Sequence, residues 1–413
     1  MILEDRSALH HRTISVVMAS QVFSGAGLAA GVTVGALLAE DMLGTSSLSG
    51  LPSALFTAGS AGAALGVGRL SQRLGRRAGL TAGYAAGALG GAGVVVAAAI
   101  DNVVLLLFFL LVYGAGTATN LQARYAGADL VEPGRRGRAV SSVLVATTIG
   151  AVIGPNLVSV TGRIAARWHI PPVAGPFALA AVAYAVAGTI LFLLLRPDPL
   201  LVSRTLNAST PAAAGESAGP PARAGVTAGA ATMILTQLVM VAVMTMTPVQ
   251  MKAHGHDLAA TGLVIAVHIA AMYLPSPLTG LLVDRVGRIP VAVASGITLL
   301  AAGVVSATAP DDSVPLLTVA LALLGLGWNL GLVAGTAMIT DAAPPETRAK
   351  TQGAVDLCVA LAGAGGGITS GLIMAATSYS ALSIGGGVLA LAVIPFVIAN
   401  ARRPLADPHL GAN

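Results

Sequence analysis

An arginine-rich turn occurs twice in this chain. Gly68-Arg-Leu70-Ser-Gln72-Arg73-Leu-Gly75-Arg76-Arg77 lies between two long apolar runs, and Gly280-Leu-Leu282-Val-Asp284-Arg285-Val-Gly287-Arg288 repeats it at an offset of 212. Gly68/Gly280, Leu70/Leu282, Arg73/Arg285, Gly75/Gly287 and Arg76/Arg288 are identical, whereas Gln72 stands opposite Asp284. The same offset pairs Gly50-Leu51 with Gly262-Leu263. It also pairs Asp129, Pro133, Arg136 and Arg138 with Asp341, Pro345, Arg348 and Lys350. Three separate regions in one register point to a duplicated half.

What surrounds the turns sets the solvent. Only 9% of residues are charged and 55% are hydrophobic, against about 25% charged in soluble domains. A chain of 413 residues with so few charges has no polar surface to offer water, so its solvent is lipid. A bilayer span takes roughly 20 apolar residues. Twelve such runs are expected, at 14–39, 50–70, 78–100, 103–126, 139–162, 176–195, 226–250, 260–282, 290–309, 314–339, 350–376 and 380–400. Each must be helical, because lipid satisfies no backbone polar group. The first run is too long for a cleavable signal and is needed as a span. The expected fold is therefore an all-α integral membrane protein of 12 transmembrane helices. With the N-terminus in the cytoplasm, all but Arg163, Arg167 and Lys252 of the 22 Lys and Arg fall on the inner side, as the positive-inside rule requires. Both termini are then cytoplasmic. The expected division is a six-helix bundle over 1–196, a flexible Pro/Ala/Ser/Gly-rich linker over 197–224, a second six-helix bundle over 225–401 and a tail over 402–413.

Several functions are disfavoured. The net charge of +5 sits in short loops rather than on one basic face, so no nucleic-acid partner is expected. Cys358 is the only cysteine, which removes internal disulfides and multi-cysteine metal sites. No Gly-x-x-x-x-Gly-Lys-Ser/Thr loop is present, and no nucleophile or metal cluster is visible. No cofactor, no metal and no enzyme chemistry are expected. The Arg-over-Lys bias, with lysine only at Lys252 and Lys350, reads as GC-rich coding, and the expected location is a bacterial plasma membrane.

The pattern Gly-x-Leu-x-Asp-Arg-x-Gly-Arg, with its echo in the other half, resembles the major facilitator superfamily over nearly the whole chain. That resemblance implies alternating access to a small solute at a midplane site between two halves. It also implies a cytoplasmic gate made by Gly68, Gln72, Arg73, Gly75, Arg76, Gly280, Asp284, Arg285, Gly287 and Arg288. In the family the acidic residue of the turn faces the N-terminus of a helix in the other half. Asp284 can take that part near Ala139, whereas Gln72 has no charge to do so. The expectation is an asymmetric gate, with Asp284→Asn far more damaging than Gln72→Ala. Gly150, Gly154 and Pro155 match part of the Gly-x-x-x-Gly-Pro motif of proton-coupled exporters in the same superfamily. The following Gly-Gly is Val158-Ser159 here, and Leu110 replaces the arginine that many exporters carry before the Gly114-Ala-Gly116 of span four.

Ionisable groups inside a membrane are functional candidates. His268 in span eight and Asp356 in span eleven are the ion-coupling candidates, and Arg124 is expected to snorkel from the inner end of span four. The resemblance assigns spans one, four, seven and ten to the cavity. That makes Gln21, Tyr113, Asn120, Gln237, Trp328 and Asn329 its candidate lining, with helix–helix hydrogen bonds as their alternative role. So little charge suits a neutral, apolar or weakly cationic solute. The expected function is proton-coupled efflux by a monomer embedded in lipid. Uptake of a nutrient or metabolite is the alternative, and a non-transporting sensor lacks a soluble domain to sense with.

Overall fold

A backbone surrounded by lipid must satisfy its own polar groups, and this chain does so with helices. The computed structural model describes residues 2–43, 51–209, 220–310 and 313–401. Among them lie α1 (Ile2–Leu43), α2 (Leu51–Leu74), α3 (Arg76–Ala99), α4 (Val103–Ala128), α5 (Arg136–Asn156), α6 (Val158–Arg167), α7 (Gly175–Leu194) and α8 (Pro199–Ser209). They are followed by α9 (Pro220–Ala253), α10 (Leu258–Tyr273), α11 (Ser276–Arg285), α12 (Arg288–Thr308), α13 (Val314–Ala342), α14 (Arg348–Ala376), α15 (Tyr379–Ala390) and α16 (Val393–Ala401). Among the described residues there are 10 helical stretches long and apolar enough to cross a bilayer, running from Arg76–Ala99 to Tyr379–Ala399. The first two expected runs lie in α1 and α2, which are not among the ten. The residues expected as a tail, 402–413, lie outside the described residues.

Three expected spans are interrupted, each beside proline, which lacks the N–H that the preceding turn requires. The run at 139–162 breaks at Leu157, after Pro155. The run at 260–282 breaks at Leu274-Pro275. The run at 380–400 breaks at Leu391-Ala392, ahead of Pro395, and there the Leu391 carbonyl accepts from Ile394 at 2.9 Å instead. A fourth difference concerns the expected flexible linker, in which Pro199–Ser209 is helical. Asp198 starts that helix by accepting from the N–H groups of Leu200 (3.0 Å) and Leu201 (3.2 Å), with Pro199 at the first helical position.

The chain divides into two units. Unit 1 comprises Met1–Val131, Ala139–Asn207 and Pro345–Leu361; unit 2 comprises Glu132–Arg138, Ala208–Pro344 and Ala362–Asn413. Each thus includes a short segment from the other end of the chain: the start of α14 in unit 1, and the turn into α5 in unit 2.

Unit 1 is centred on aromatic rings. Tyr113 meets Phe177 edge-on at 5.3 Å, and Tyr84 stacks on Tyr184 at 5.8 Å. Helices α1 and α5 cross at Gly25 and Gly150, where a methyl on Gly150 would come within 2.6 Å of the Ala26 nitrogen and strike the Val22 carbonyl. In unit 2, α12 and α13 pack closely at Gly327, where a Cβ would come within 2.7 Å of Leu299 Cγ, and Ser295 Oγ donates to the Gly327 carbonyl at 2.7 Å.

Candidate functional site

Two tight turns carry the duplicated motif, and both need glycine. Gly75 joins α2 to α3 at φ 94°, ψ 167°; Gly287 joins α11 to α12 at φ 105°, ψ 162°. That region is essentially closed to residues with a Cβ, at a cost of about 1–3 kcal/mol. The turns aim Gln72 and Arg76 in unit 1, and Asp284 and Arg288 in unit 2, at the start of a helix.

In unit 1, Gln72 caps α14. Its Oε1 accepts from the backbone N–H of Ala349 (2.8 Å) and Lys350 (3.2 Å), and its Nε2 donates to the carbonyls of Pro345 (3.2 Å) and Glu346 (2.5 Å). Arg76, fully buried, donates through Nε to Asp129 at 2.7 Å and through an Nη to Gln352 Oε1 at 2.5 Å. Arg348 lies 3.8 Å from the other oxygen of Asp129. Gly68 makes the close approach possible, since a Cβ there would sit 2.8 Å from the Ala349 carbonyl oxygen and from Gly353 Cα.

Unit 2 repeats this arrangement in register. Asp284 caps α5 by accepting from the N–H groups of Gly137 (2.8 Å) and Arg138 (3.0 Å), the positions that correspond to Ala349 and Lys350. Arg288 donates to Asp341 at 2.9 Å, and Arg136 reaches the other Asp341 oxygen at 2.5 Å. Arg76–Asp129–Arg348 and Arg288–Asp341–Arg136 are therefore one triad in two copies, offset by 212.

The expectation of an asymmetric gate rests on charge, and both side chains cap a helix start. Gln72 lacks the charge of Asp284, but an amide oxygen accepts the same two backbone N–H groups, and the amide nitrogen adds two bonds that a carboxylate cannot make. Arg73 and Arg285 are exposed.

The two copies differ one and two turns further along α14. Arg124 does not snorkel: it is fully buried and donates to Asp356 Oδ1 at 2.8 Å. Tyr125 hydroxyl donates to the same oxygen at 3.2 Å, and its ring lies under Arg124 (4.2 Å) and Arg76 (5.7 Å). The positions matching Arg124 and Asp356 by the offset are Thr336 and Leu144, so this cluster has no second copy.

Helix α8 adds a clasp to the unit 1 turn. Asp198 Oδ2 accepts from the Arg77 N–H at 2.8 Å, and Arg204 donates to the carbonyls of Gln72 (2.6 Å) and Pro345 (3.2 Å).

The candidate lining residues fall into two groups. Gln21, Tyr113 and Asn120 are buried within unit 1. Gln21 donates to the Asn120 carbonyl and to Thr147 (3.0 Å each) and accepts from Tyr84 hydroxyl at 2.6 Å; Asn120 donates to Ser24 at 2.7 Å; Tyr113 donates to the Gly27 carbonyl at 2.5 Å. In unit 2, Asn329 is buried and splices the α10–α11 break, donating to the Met272 carbonyl (2.8 Å) and Ser276 (2.7 Å) and accepting from Thr279 (2.6 Å). Gln237 is half-buried and accepts from the Trp328 indole at 2.7 Å, while Trp328 meets Tyr273 edge-on at 5.8 Å. His268 is buried with Nδ1 2.8 Å from the Leu321 carbonyl. Gly150 packs on α1, and Gly154 is buried.

Sequence reasoning missed Gln352, Tyr125 and the α8 clasp. It also read Arg124 and Asp356 separately, although opposite charges in two spans are a signal that each is the other's partner.

A sequence model of the Major Facilitator Superfamily matches residues 17–249 and 229–412. The chain is 58% identical over 400 residues to the uncharacterized MFS-type transporter YdeG of Bacillus subtilis, covering 96% of this chain and 93% of that one. It is 31% identical over 358 residues to the riboflavin transporter RfnT of Brucella anthropi, covering 84% of each. Among solved structures, a double-Trp mutant of XylE superposes with a TM-score of 0.77 at 16% identity, over 97% of both chains. The human organic anion transporter MFSD10 gives 0.73 at 15%, over 94% of this chain and 99% of that one. The chain belongs to the Major Facilitator Superfamily, and is a multi-pass membrane transporter rather than an enzyme.

Proposed function

We propose that the chain is a secondary active transporter that works by alternating access and exports small, neutral, largely apolar or weakly cationic compounds in exchange for protons. One observation carries the substrate class. Where α1, α4, α9 and α13 cover the expected spans 14–39, 103–126, 226–250 and 314–339, the charged residue in the sequence is Arg124, and it is paired with Asp356. The polar groups beside it are amides, hydroxyls and an indole, which suit an uncharged solute. The partial Gly150/Gly154/Pro155 motif supports export. Gln237 and Trp328 are the lining residues that the reading favours. Gln21, Tyr113, Asn120 and Asn329 stay on as candidates that also hold helices together. His268 and Asp356 are the ion-coupling candidates. Gly68, Gln72, Arg73, Gly75 and Arg76, with Gly280, Asp284, Arg285, Gly287 and Arg288, form the cytoplasmic gate.

The proposal includes twelve spans, bundles over 1–196 and 225–401 joined by the linker 197–224, cytoplasmic termini including the tail 402–413, and a monomer in a bacterial plasma membrane. The internal offset supports the two bundles, and the inner-side arginines support the spans and the cytoplasmic termini. Deleting the gene and scoring drug susceptibility tests the direction: hypersensitivity restored by the wild-type chain is expected, and unchanged susceptibility across a broad panel overturns export.

A second reading, uptake of a nutrient or metabolite, is favoured by the 31% identity to a riboflavin transporter. Riboflavin is neutral, with a planar ring system and a hydroxylated side chain, and Trp328 or Tyr273 could wall the ring. Growth of a riboflavin auxotroph on limiting vitamin separates the readings: uptake predicts rescue, export predicts none.

A further inference from the structure

The start of α14 carries a polar seam. Arg348, Gln352 and Asp356 recur every fourth residue and so share one helical face. That face meets Asp129, Arg76 and Arg124 in turn. The equivalent segment at the start of α5 has only the first step: by the 212 offset, Gln352 and Asp356 correspond to Val140 and Leu144, and Arg124 and Tyr125 to Thr336 and Ala337. The first triad is built twice, but the extension is built once, and it ends on the carboxyl group of Asp356.

One oxygen of that carboxyl is incompletely served. Oδ1 receives Arg124 and the Tyr125 hydroxyl, whereas Oδ2 is buried with no hydrogen-bond partner among the described residues. The charged and titratable groups facing it are Arg124 and Tyr125 from α4 and, across the Tyr125 ring, Arg76 from α3, itself bound to Asp129. Arg348 lies on α14 itself. A buried carboxylate oxygen without a donor is a place for a proton to add. His268 Nε2 also has no partner among the described residues, and the ring's Nδ1 bonds to the Leu321 carbonyl rather than to a charged group, so its titration would switch no ion pair there.

We infer that Asp356 binds the coupling proton at Oδ2, and that its neutralisation loosens the seam holding residues 345–361 to α3 and α4. This rests on the proton-coupled reading above. The step is an addition: a proton leaves hydronium in the aqueous phase and forms an O–H bond at Oδ2. Asp356 becomes neutral, and water is the by-product. Arg124 then keeps its charge without a buried counter-charge, which is a costly arrangement. Tyr125 loses its ionised acceptor, and Arg76 sits over the same ring. Proton binding is thereby linked to the Arg76–Gln352 and Gln72–Ala349 contacts one and two turns away.

The test needs no solute. Purified full-length protein in phospholipid vesicles is titrated from alkaline to acid pH by infrared difference spectroscopy, with amide hydrogen exchange of 345–361 measured in parallel and corrected for intrinsic rate. We expect a protonated-carboxyl carbonyl band that is lost in Asp356→Asn. We also expect exchange across 349–356 to rise about tenfold at acid pH in the wild type, the factor carried by one lost charge-assisted hydrogen bond. That rise is absent in the variant. Where Asp356→Asn alone folds poorly, Arg124→Gln/Asp356→Asn removes both buried charges and must show the same two losses. A band or an acid-induced rise that survives either variant overturns the inference. Solute movement by the wild type without proton flux would overturn the proposed coupling instead, and leaves the assignment of the band untouched.

Discussion

Gln72→Ala is the perturbation that separates a symmetric pair of turns from a lopsided one. The side chain makes four hydrogen bonds to the start of α14, two of them to the otherwise unmatched N–H groups of Ala349 and Lys350. A neutral hydrogen bond contributes about 0.5–1.5 kcal/mol net, and a lost N-cap about 0.5–2. Gln72 is half-buried, so water takes over part of the loss, leaving about 2 kcal/mol in the docking of residues 345–361. That is roughly a 30-fold change in an equilibrium. Asp284→Ala removes two charge-assisted bonds to Gly137 and Arg138, and should cost about 1 kcal/mol more in its own unit. Site-resolved amide exchange in lipid nanodiscs reads both. Protection at Ala349 and Lys350 should fall roughly 30-fold in Gln72→Ala, within about fivefold of the loss at Gly137 and Arg138 in Asp284→Ala. Unchanged protection at Ala349 and Lys350 would refute the reasoning, and would restore the lopsided pair that the charges alone suggest.

Gly75→Ala should lower the melting temperature more than Gly287→Ala. Both place a Cβ at a backbone conformation worth about 1–3 kcal/mol of strain, but only at Gly75 would the methyl also meet a carboxylate, that of Asp198; at Gly287 the nearest atom is Pro290 Cδ at 3.6 Å. Equal losses in a detergent melt would argue against the α8 clasp. Gly150→Val should destabilise by about 1–3 kcal/mol, because the obstruction is α1 backbone rather than a movable side chain; a wild-type melt would refute the crossing. Arg124→Leu should cost about 3–5 kcal/mol by stranding Asp356, and Arg124→Leu/Asp356→Leu should recover most of it, since a buried pair exchanged for apolar residues is often neutral. No recovery in the double variant would show that the two are not partners.

The duplicated turn was legible because it is written in residues with few substitutes. Only glycine occupies the backbone of Gly75 and Gly287, and Asp129/Asp341 with Arg136/Arg348 stood at the shared offset before any contact was known. The division of labour at Gln72 was not legible, because charge was taken as the currency of helix capping, whereas the structure uses an acceptor oxygen. Arg124 was misplaced for a related reason: near the end of a span, a lone arginine and a paired one look the same until a second helix brings its carboxylate. Prolines 155, 275 and 395 marked breaks that apolar runs conceal. The buried amides resist a reading from sequence, since Asn329 holds together a broken helix and Gln237 binds an indole with the same functional group.

The central claim is transport driven by a proton gradient. Purified protein in liposomes enclosing a pH-sensitive dye, under an imposed pH gradient and challenged with a solute panel that includes riboflavin and lipophilic cations, tests it directly. The account predicts solute-dependent proton flux that a protonophore abolishes and that needs no ATP. Solute movement that leaves internal pH unchanged in wild-type vesicles would contradict it.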